Sequence, residues 1–159
     1  MKRKSMEVND HGLPPNPYNP HAWIRGKPKI GRGTWIGPFC VIDGLGGLEI
    51  GKWVDIGCGV HIITHSTVKR CVSERRYNRV DHTPTKIGNY VFIGDNALIL
   101  KGSEVGHHSV VGAGTVVGEN TKIPPYSLVV GFPARIVRNL KEEVQSLKKN
   151  PKGPRIKLR

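Results

Sequence analysis

The chain has 159 residues, and its 25 Lys and Arg against 12 Asp and Glu give a formal net charge of +13, so the length indicates one domain. It contains no run of 18 apolar residues, which excludes a membrane-spanning helix. No apolar run follows the basic residues 2–4, so no secretory signal is predicted and we expect a cytoplasmic protein.

The positive charge raises the question of nucleic-acid binding. The basic residues are scattered over both ends of the chain and residues 69–79, and no aromatic residues alternate with them as a stacking surface requires. We therefore expect no nucleic acid. An anionic ligand, or peripheral contact with an anionic surface, is left open.

Residues 1–23 are rich in Pro, Asn and charged side chains. Both ends of a repeat structure expose strand edges that need covering. We predict that these residues form an irregular cap over one end.

Residues 24–133 carry a six-residue repeat with two interruptions. A glycine follows nine of the repeated apolar residues, and a small side chain usually stands four positions after each. The repeated residues are Ile24, Ile30, Ile36, Ile42, Ile50, Ile56, Ile62, Ile87, Ile93, Ile99, Val105, Val111, Val117, Ile123 and Val129.

This period fits neither an amphipathic helix nor an alternating strand, but it fits a triangular coil. Each hexapeptide forms one flat side and one corner, with the β-branched residue pointing inward. The glycine relieves crowding at the corner, and the small residue fills the interior. Three hexapeptides make one coil, so the repeat predicts an all-β solenoid, a parallel β-helix of about five coils.

The two interruptions differ in length. The gap between Ile42 and Ile50 is eight residues, so we predict a bulge at residues 44–47. The gap between Ile62 and Ile87 is twenty-five residues, so residues 66–85 must leave the solenoid as a long loop. Loops of this length are uncommon in compact domains unless they serve a function.

Residues 134–149 are predicted to form a C-terminal helix, because Ile136, Leu140, Val144 and Leu147 fall on one helical face. Asn150 precedes a proline and ends the helix. Residues 150–159 are predicted to form a disordered basic tail.

Three segments carry a resemblance to a known family: GVHIITHS at 59–66, KIGNYVFIGDNA at 86–97 and IPPYSLVVGFPARIVR at 123–138. In this order they resemble the hexapeptide-repeat acyltransferases, especially the maltose- and galactoside-type and polysaccharide-modifying sugar O-acetyltransferases. The resemblance covers about residues 30–140 and implies a left-handed β-helix. It also implies transfer of an acetyl group from acetyl-CoA to a hydroxyl, less often an amine, of a sugar, nucleotide sugar or glycan precursor.

The family binds acetyl-CoA between neighbouring prisms of a homotrimer, and the resemblance implies no metal. The residues it assigns to acetyl-CoA are Phe92, Asp95, Ala113, Gly118, Glu119, Arg135 and Arg138. The two arginines suit the phosphates of coenzyme A, because guanidinium groups match phosphate oxygens well. No acceptor-binding residue is carried over, because Pro38 departs from the family pattern and Asp43 lies in the differently spaced bulge.

His65 is the predicted general base, because an imidazole at an outward corner before the loop can remove the acceptor proton near neutral pH. His61 is expected to be structural, and His107 and His108 are expected to form a solvated turn. His82 lies in the loop and is not placed.

Two alternatives differ in class. A zinc carbonic anhydrase can occupy the same fold, but it needs three histidine ligands, and His61 and His65 have the wrong spacing for that family. A non-catalytic trimeric scaffold that binds anionic partners is the other alternative.

Overall fold

Short parallel strands wind around three flat faces in this computed structural model, which describes residues 13–153 and 156–157. The first face holds β1 (Trp23–Gly26), β4 (Val41–Gly44), β7 (His61–Ile62), β12 (Leu98–Ile99) and β15 (Val116–Val117). The second face holds β2 (Lys29–Ile30), β5 (Leu48–Ile50), β10 (Thr85–Ile87), β13 (Glu104–Val105) and β16 (Lys122–Ile123). The third face holds β3 (Trp35–Ile36), β6 (Asp55–Ile56), β11 (Phe92–Ile93), β14 (Val110–Val111), β17 (Ser127–Val130) and the antiparallel β18 (Arg135–Asn139).

The predicted solenoid is confirmed, with five parallel strands on each face. The third face is one layer taller than the repeat predicts, because β18 adds a sixth strand. The left-handed sense of the coil stays a prediction.

The core is the stack of repeated Ile and Val side chains. Ile36, Ile56, Ile93 and Val111 come from successive strands of the third face and are each at most 1% exposed. Full burial of such a side chain contributes about 1.5–3 kcal/mol, so the repeat supplies most of the hydrophobic stabilisation. The exceptions lie in the first coil, where Ile24 and Ile30 are only partly buried.

The glycines that follow repeated residues permit close stacking of the coils. A Cβ built on Gly94 would lie 2.5 Å from the backbone nitrogen of Ala113 in the next coil. The left-handed backbone conformation occurs two residues later, as at Asn96 (φ 56°) and His108 (φ 56°). The predicted crowding is therefore confirmed, but the turn itself is made by a residue that the glycine pattern did not reveal.

Both interruptions leave the prism as predicted. In the short one, the N–H of Gly47 donates to the carbonyl of Gly44 at 3.2 Å and closes a turn. The long loop contains β8 (His65–Ser66), α1 (Val68–Val72) and β9 (Asp81–His82), and β8 pairs with β9 in antiparallel fashion. These three elements were not predicted from the sequence.

The predicted helix at 134–149 is wrong in its first half. Helix α2 covers only Lys141–Lys149, and the preceding residues form β18. The physical reason is that β17 exposes an edge of unpaired backbone groups, and a segment with the β-branched Ile136 and Val137 satisfies them as a strand. These two side chains are about half exposed, whereas Leu140 is fully buried.

The described part of the N-terminal cap packs irregularly against the first coil, as predicted. The side chain of Asn19 donates to the carbonyl of Ile36 at 3.0 Å, and Ala22 is fully buried. Residues 1–12 of the cap, and 154, 155, 158 and 159 of the predicted tail, lie outside the described residues. Within the residues that are described, no helix is long and apolar enough to cross a membrane.

Candidate active site

The candidate site lies at the corner between the first and second faces, where the long loop leaves the prism. Strands β4 and β7 are neighbours, with Ile42 paired to Ile62. The residues that follow Ile42 and Ile62 in the two coils are therefore stacked one above the other. This stacking brings Asp43 of one coil beside Thr64 and His65 of the next.

Asp43 and His65 form a hydrogen-bonded pair. The Nδ1 of His65 lies 2.6 Å from the Oδ2 of Asp43. The Asp43 side chain is fully buried, and the His65 side chain is 24% exposed. The expectation that His65 simply points outward is therefore wrong, because three quarters of its side chain is enclosed and one ring nitrogen is held by a buried carboxylate.

Further hydrogen bonds hold the Asp43 carboxylate in place. The N–H and the hydroxyl of Thr64 both donate to Oδ2 at 3.0 Å, and the N–H of Leu45 donates to Oδ1 at 3.2 Å. Burial alone raises the pKa of Asp43, but the hydrogen bonds from Thr64, His65 and Leu45 outweigh it and leave the pKa below its ordinary value. Asp43 therefore stays ionised, accepts the Nδ1–H of His65 and leaves Nε2 with the free lone pair.

The bulge at residues 44–47 completes this arrangement. Its Gly46 N–H donates to the hydroxyl of Thr64 at 2.8 Å, and the same hydroxyl donates to Asp43. Sequence reasoning missed Asp43, although a signal was present. Asp43 directly follows a repeated isoleucine, which is a position where nine other repeats have glycine, and it stands in the coil below His65.

A cleft of about 440 Å³ lies at the base of the loop, and its lining includes Ser66, the residue that follows His65. His82 lies opposite His65 in the β8–β9 pair, and the two ring centroids are 6.2 Å apart. The cleft is lined by His82 together with Ser66, Val68, Lys69, Asp81, Thr83, Lys101 and Glu119.

Ion pairs organise the polar lining of this cleft. Asp81 accepts the hydroxyl of Tyr77 at 2.6 Å and lies 3.4 Å from the Nζ of Lys69, while Lys101 contacts Glu119 at 2.8 Å. The hydrogen bond from Tyr77, followed by the charges of Lys69 and Lys101, lowers the pKa of Asp81. Both acids of the cleft therefore already have cationic partners.

The residues that the resemblance assigns to acetyl-CoA lie on different faces and corners of the prism. Phe92, Arg135 and Arg138 lie on the third face, away from the loop. Gly118 and Glu119 stand at the corner of the cleft, since they directly follow β15 of the first face. Only this last pair shares a corner with His65 within one chain.

The remaining two, Asp95 and Ala113, follow strands of the third face in successive coils. Asp95 accepts the N–H of Cys58 at 2.8 Å, so its carboxylate has a structural role. Arg138 is also engaged, because its guanidinium contacts Glu143 and the carbonyl of Lys157. Arg135 and Phe92 are exposed.

The other histidines fall at different places. His61 is exposed on the outer side of the first face, which does not support a structural role. His107 and His108 do form a turn as predicted, but the turn is not simply solvated, since His108 is half-buried and stacks between Tyr90 and Tyr126 at centroid distances of 4.9 and 5.0 Å. Burial, and then the charges of Lys148 and His107, lower the pKa of His108.

Among the residues that the structure describes, no three His, Cys, Asp or Glu side chains lie close enough together to hold a metal ion.

Comparison with known proteins places this geometry in a family. Residues 84–119 match the family model described as bacterial transferase hexapeptide (six repeats). A hexapeptide-repeat acetyltransferase from Vibrio cholerae, VCA0836, superimposes with a TM-score of 0.64 at 33% identity, over 74% of this chain and 67% of that one. The chain belongs to the hexapeptide-repeat transferase family.

Two further relatives bear on function. A galactoside acetyltransferase in complex with coenzyme A superimposes with a TM-score of 0.66 at 28% identity, over 79% of this chain and 65% of that one. Gamma carbonic anhydrase 1 of Arabidopsis thaliana mitochondria is 33% identical in an alignment of length 141 that covers 78% of this chain and 48% of the plant protein. The chain spans about half or less of the length of the curated relatives it matches.

Proposed function

We propose that the chain is an acetyltransferase that uses acetyl-CoA to acetylate a hydroxyl group of a sugar or a sugar-containing precursor. The observation that carries this proposal is the 2.6 Å contact between the buried Asp43 and His65. An ionised carboxylate on Nδ1 fixes the imidazole tautomer and stabilises the imidazolium that forms when Nε2 takes a proton.

The reaction needs one base and no covalent enzyme intermediate. The Nε2 of His65 removes the acceptor hydroxyl proton as the oxygen attacks the thioester carbonyl carbon. The tetrahedral adduct then collapses, the carbon–sulfur bond breaks and the acetyl ester is released. The leaving thiolate takes a proton, which the imidazolium of His65 can return, so His65 ends the cycle neutral.

Acetyl-CoA is proposed as the donor, because VCA0836 has been solved in complex with acetyl-CoA and the galactoside acetyltransferase with coenzyme A. Of the residues assigned by resemblance, the exposed Phe92 and Arg135 keep the greatest freedom to contact this donor. Asp95, Glu119 and Arg138 are also proposed to contact the donor, although each already makes a hydrogen bond within the chain. Ala113 and Gly118 present little more than backbone.

A homotrimer is proposed as the active form, so that the donor residues of one subunit meet His65 of another. The first face offers half-buried apolar side chains, such as Val41, Leu98 and Val116, on its outer side. Leu128, on the third face, is fully buried within the chain and is not available to a partner. Sedimentation equilibrium at micromolar concentration should show a trimer, and a monomer would contradict this part of the proposal.

The test is a thiol-release screen with acetyl-CoA against simple sugars, amino sugars and nucleotide sugars. Wild-type protein should release coenzyme A with at least one acceptor, and His65→Ala should lose that activity while remaining folded. Acceptor-dependent thiol release that is the same in both proteins would show that His65 is not the base. Failure of every acceptor would favour the scaffold alternative.

A zinc carbonic anhydrase is the second candidate, because the similarity to the plant carbonic anhydrase covers 78% of this chain. The described residues do not fit a zinc site within one chain. Zinc requires three protein ligands beside an open position, and the described residues bring no three His, Cys, Asp or Glu side chains together within one chain. Stoichiometric zinc in protein purified without chelators, together with hydration of carbon dioxide, would favour this candidate.

A further inference from the structure

We infer that the acceptor carries a negative charge, as a carboxylate or a phosphate, and that the basic loop beside His65 recognises it. This inference rests on the acetyl transfer proposed above and names the class of its acceptor. The basic loop is residues 67–80, with the single acidic residue Glu74. Its basic residues are Lys69, Arg70, Arg75, Arg76 and Arg79.

The basic loop is anchored directly at the candidate base. It runs between β8, which begins with His65, and β9, which ends with His82. The cleft at its base is formed jointly by the loop, through Lys69, and by the prism, through Lys101. Its volume of about 440 Å³ lies within the range of about 300–1,000 Å³ that is common for small-molecule sites.

The acids of the cleft do not oppose an anion, because each is already neutralised. Asp81 lies 3.4 Å from Lys69, and Glu119 lies 2.8 Å from Lys101. The two carboxylates therefore orient the lysines. The net charge of the residues that line the cleft is therefore small. The sign of the electrostatic potential in the cleft is set by the other charged residues of the loop.

That remaining charge is positive and not compensated. Within the part of the chain that the structure describes, Arg70, Arg75 and Arg79 take part in no ion pair. Arg76 approaches Glu74 only at 4.0 Å, and both side chains are highly exposed. Arg79 is close enough to influence Tyr77, which in turn donates to Asp81 in the cleft. A positive field around the cleft attracts an anionic acceptor and raises its local concentration.

The second face, in contrast, carries no comparable excess of positive charge. Its outward residues alternate in sign from strand to strand, as Lys29, Glu49, Lys86, Glu104 and Lys122. The loop has no such alternation. Its helix α1, which contains Lys69 and Arg70, buries no residue.

Coenzyme A is also an anion, because it carries phosphates, so the basic loop has two candidate ligands, the acceptor and the donor. A donor that lacks the phosphates separates these two candidates. We therefore compare acetyl-CoA with S-acetylpantetheine, which carries the same reacting thioester without phosphates. A preference for a charged acceptor that persists with S-acetylpantetheine belongs to the acceptor alone.

The experiment uses matched sugars: galactose with galacturonate, glucose with glucose 6-phosphate, and N-acetylglucosamine with its 1-phosphate. Thiol release gives kcat/KM, and ligand-observed NMR gives binding without turnover. For at least one pair, the charged sugar should bind more tightly and have a kcat/KM about tenfold higher with both donors. This advantage should shrink between about 20 mM and about 500 mM NaCl, because salt screens exposed charges.

The chain offers a matched control for the loop cations. Lys69→Gln should raise the KM of the charged sugar by about three- to tenfold and leave the neutral sugar unchanged. Arg79→Gln should act in the same direction. Lys122→Gln removes a lysine of similar exposure (77% against 69%) at a similar distance from its acid (3.7 against 3.4 Å), and it should change neither KM.

Equal binding and equal kcat/KM for the charged and neutral sugars would overturn the inference. So would an effect of Lys69→Gln that vanishes with S-acetylpantetheine, since the loop would then bind coenzyme A. Preferential binding of charged sugars without thiol release would support anion recognition but contradict the proposed transfer. Thiol release without charge preference would support the transfer and contradict this inference.

Discussion

Two corners of the prism carry histidines, and they differ in what their Nδ1 atoms contact. At the loop corner, the Nδ1 of His65 lies 2.6 Å from the buried carboxylate of Asp43. At the other corner, the Nδ1 of His107 lies 2.8 Å from the Nδ1 of His108. A carboxylate stabilises an imidazolium, whereas a second imidazole brings no negative charge to do so. His65 is therefore a candidate base because of its carboxylate partner, and not because it is a histidine at a corner of the repeat.

The surroundings strengthen this contrast. His108 is stacked between Tyr90 and Tyr126, and the charge that most lowers its pKa is that of Lys148. His65 instead lies 6.2 Å, between ring centroids, from His82, which lines a polar cleft beside the positively charged loop. One corner is a packed aromatic stack, and the other borders a polar cleft.

The largest expected effect comes from removing the imidazole at each corner in turn. His65→Ala should lower kcat by about 10²–10⁴-fold, which is the usual contribution of a positioned general base. His107→Ala should leave kcat unchanged. Steady-state thiol release, with thermal unfolding measured on both variants, checks the comparison. Equal losses in two well-folded variants would remove the distinction between the corners.

The next effect comes from neutralising the partner of His65. Asp43→Asn should lower kcat by at least about tenfold and leave the KM for acetyl-CoA unchanged, because the amide no longer fixes the tautomer or stabilises the imidazolium. Asp55→Asn, at an exposed aspartate on the third face, is the control and should behave like wild type. A parallel rise in KM would indicate that Asp43 shapes the binding site instead of the base.

Asp43 should also make folding sensitive to acid. Its pKa is lower in the folded protein, so between the folded and the unfolded pKa the unfolded chain binds more protons. The stabilisation is present above about pH 4, the ordinary range of an aspartate, and is lost as the pH falls through the folded pKa. Urea unfolding at several pH values below 6 should show a shallower acid loss in Asp43→Asn than in wild type. Parallel curves would contradict the lowered pKa.

The smallest effect concerns His108. Its pKa is lowered by burial and by Lys148, so the unfolded chain binds more protons in the window just below the ordinary histidine pKa of about 6.5. The free energy of unfolding should therefore fall as the pH drops through this window. In His108→Gln that dependence should be weaker, with no change in kcat at pH 7.5. A stronger dependence in the variant would show that the sign is wrong.

The sequence predicted the solenoid because each hexapeptide contributes one inward Ile or Val. The repeated positions in the sequence are therefore the core positions of the fold. It predicted His65 through its place before the loop and through family resemblance. It did not predict Asp43 as the partner. That pairing depends on how the bulge at residues 44–47 aligns one coil with the next. The spacing of residues in the sequence does not determine this alignment.

The helix prediction for the C-terminal segment failed for a different reason. Ile136 and Leu140 fit a helical face, but the same residues fit a strand that covers β17. Local periodicity could not decide between them, because the deciding factor is the unpaired edge of a distant strand.

The central claim is that Asp43 and His65 act as one unit in the chemical step, and a double-mutant cycle on kcat tests it most directly. We measure wild type, Asp43→Asn, His65→Ala and the double variant with the same acceptor at saturating acetyl-CoA. If the two residues act together, Asp43→Asn should cost almost nothing once His65 is absent. If the two losses multiply in full in the double variant, Asp43 and His65 act independently and the claim is contradicted.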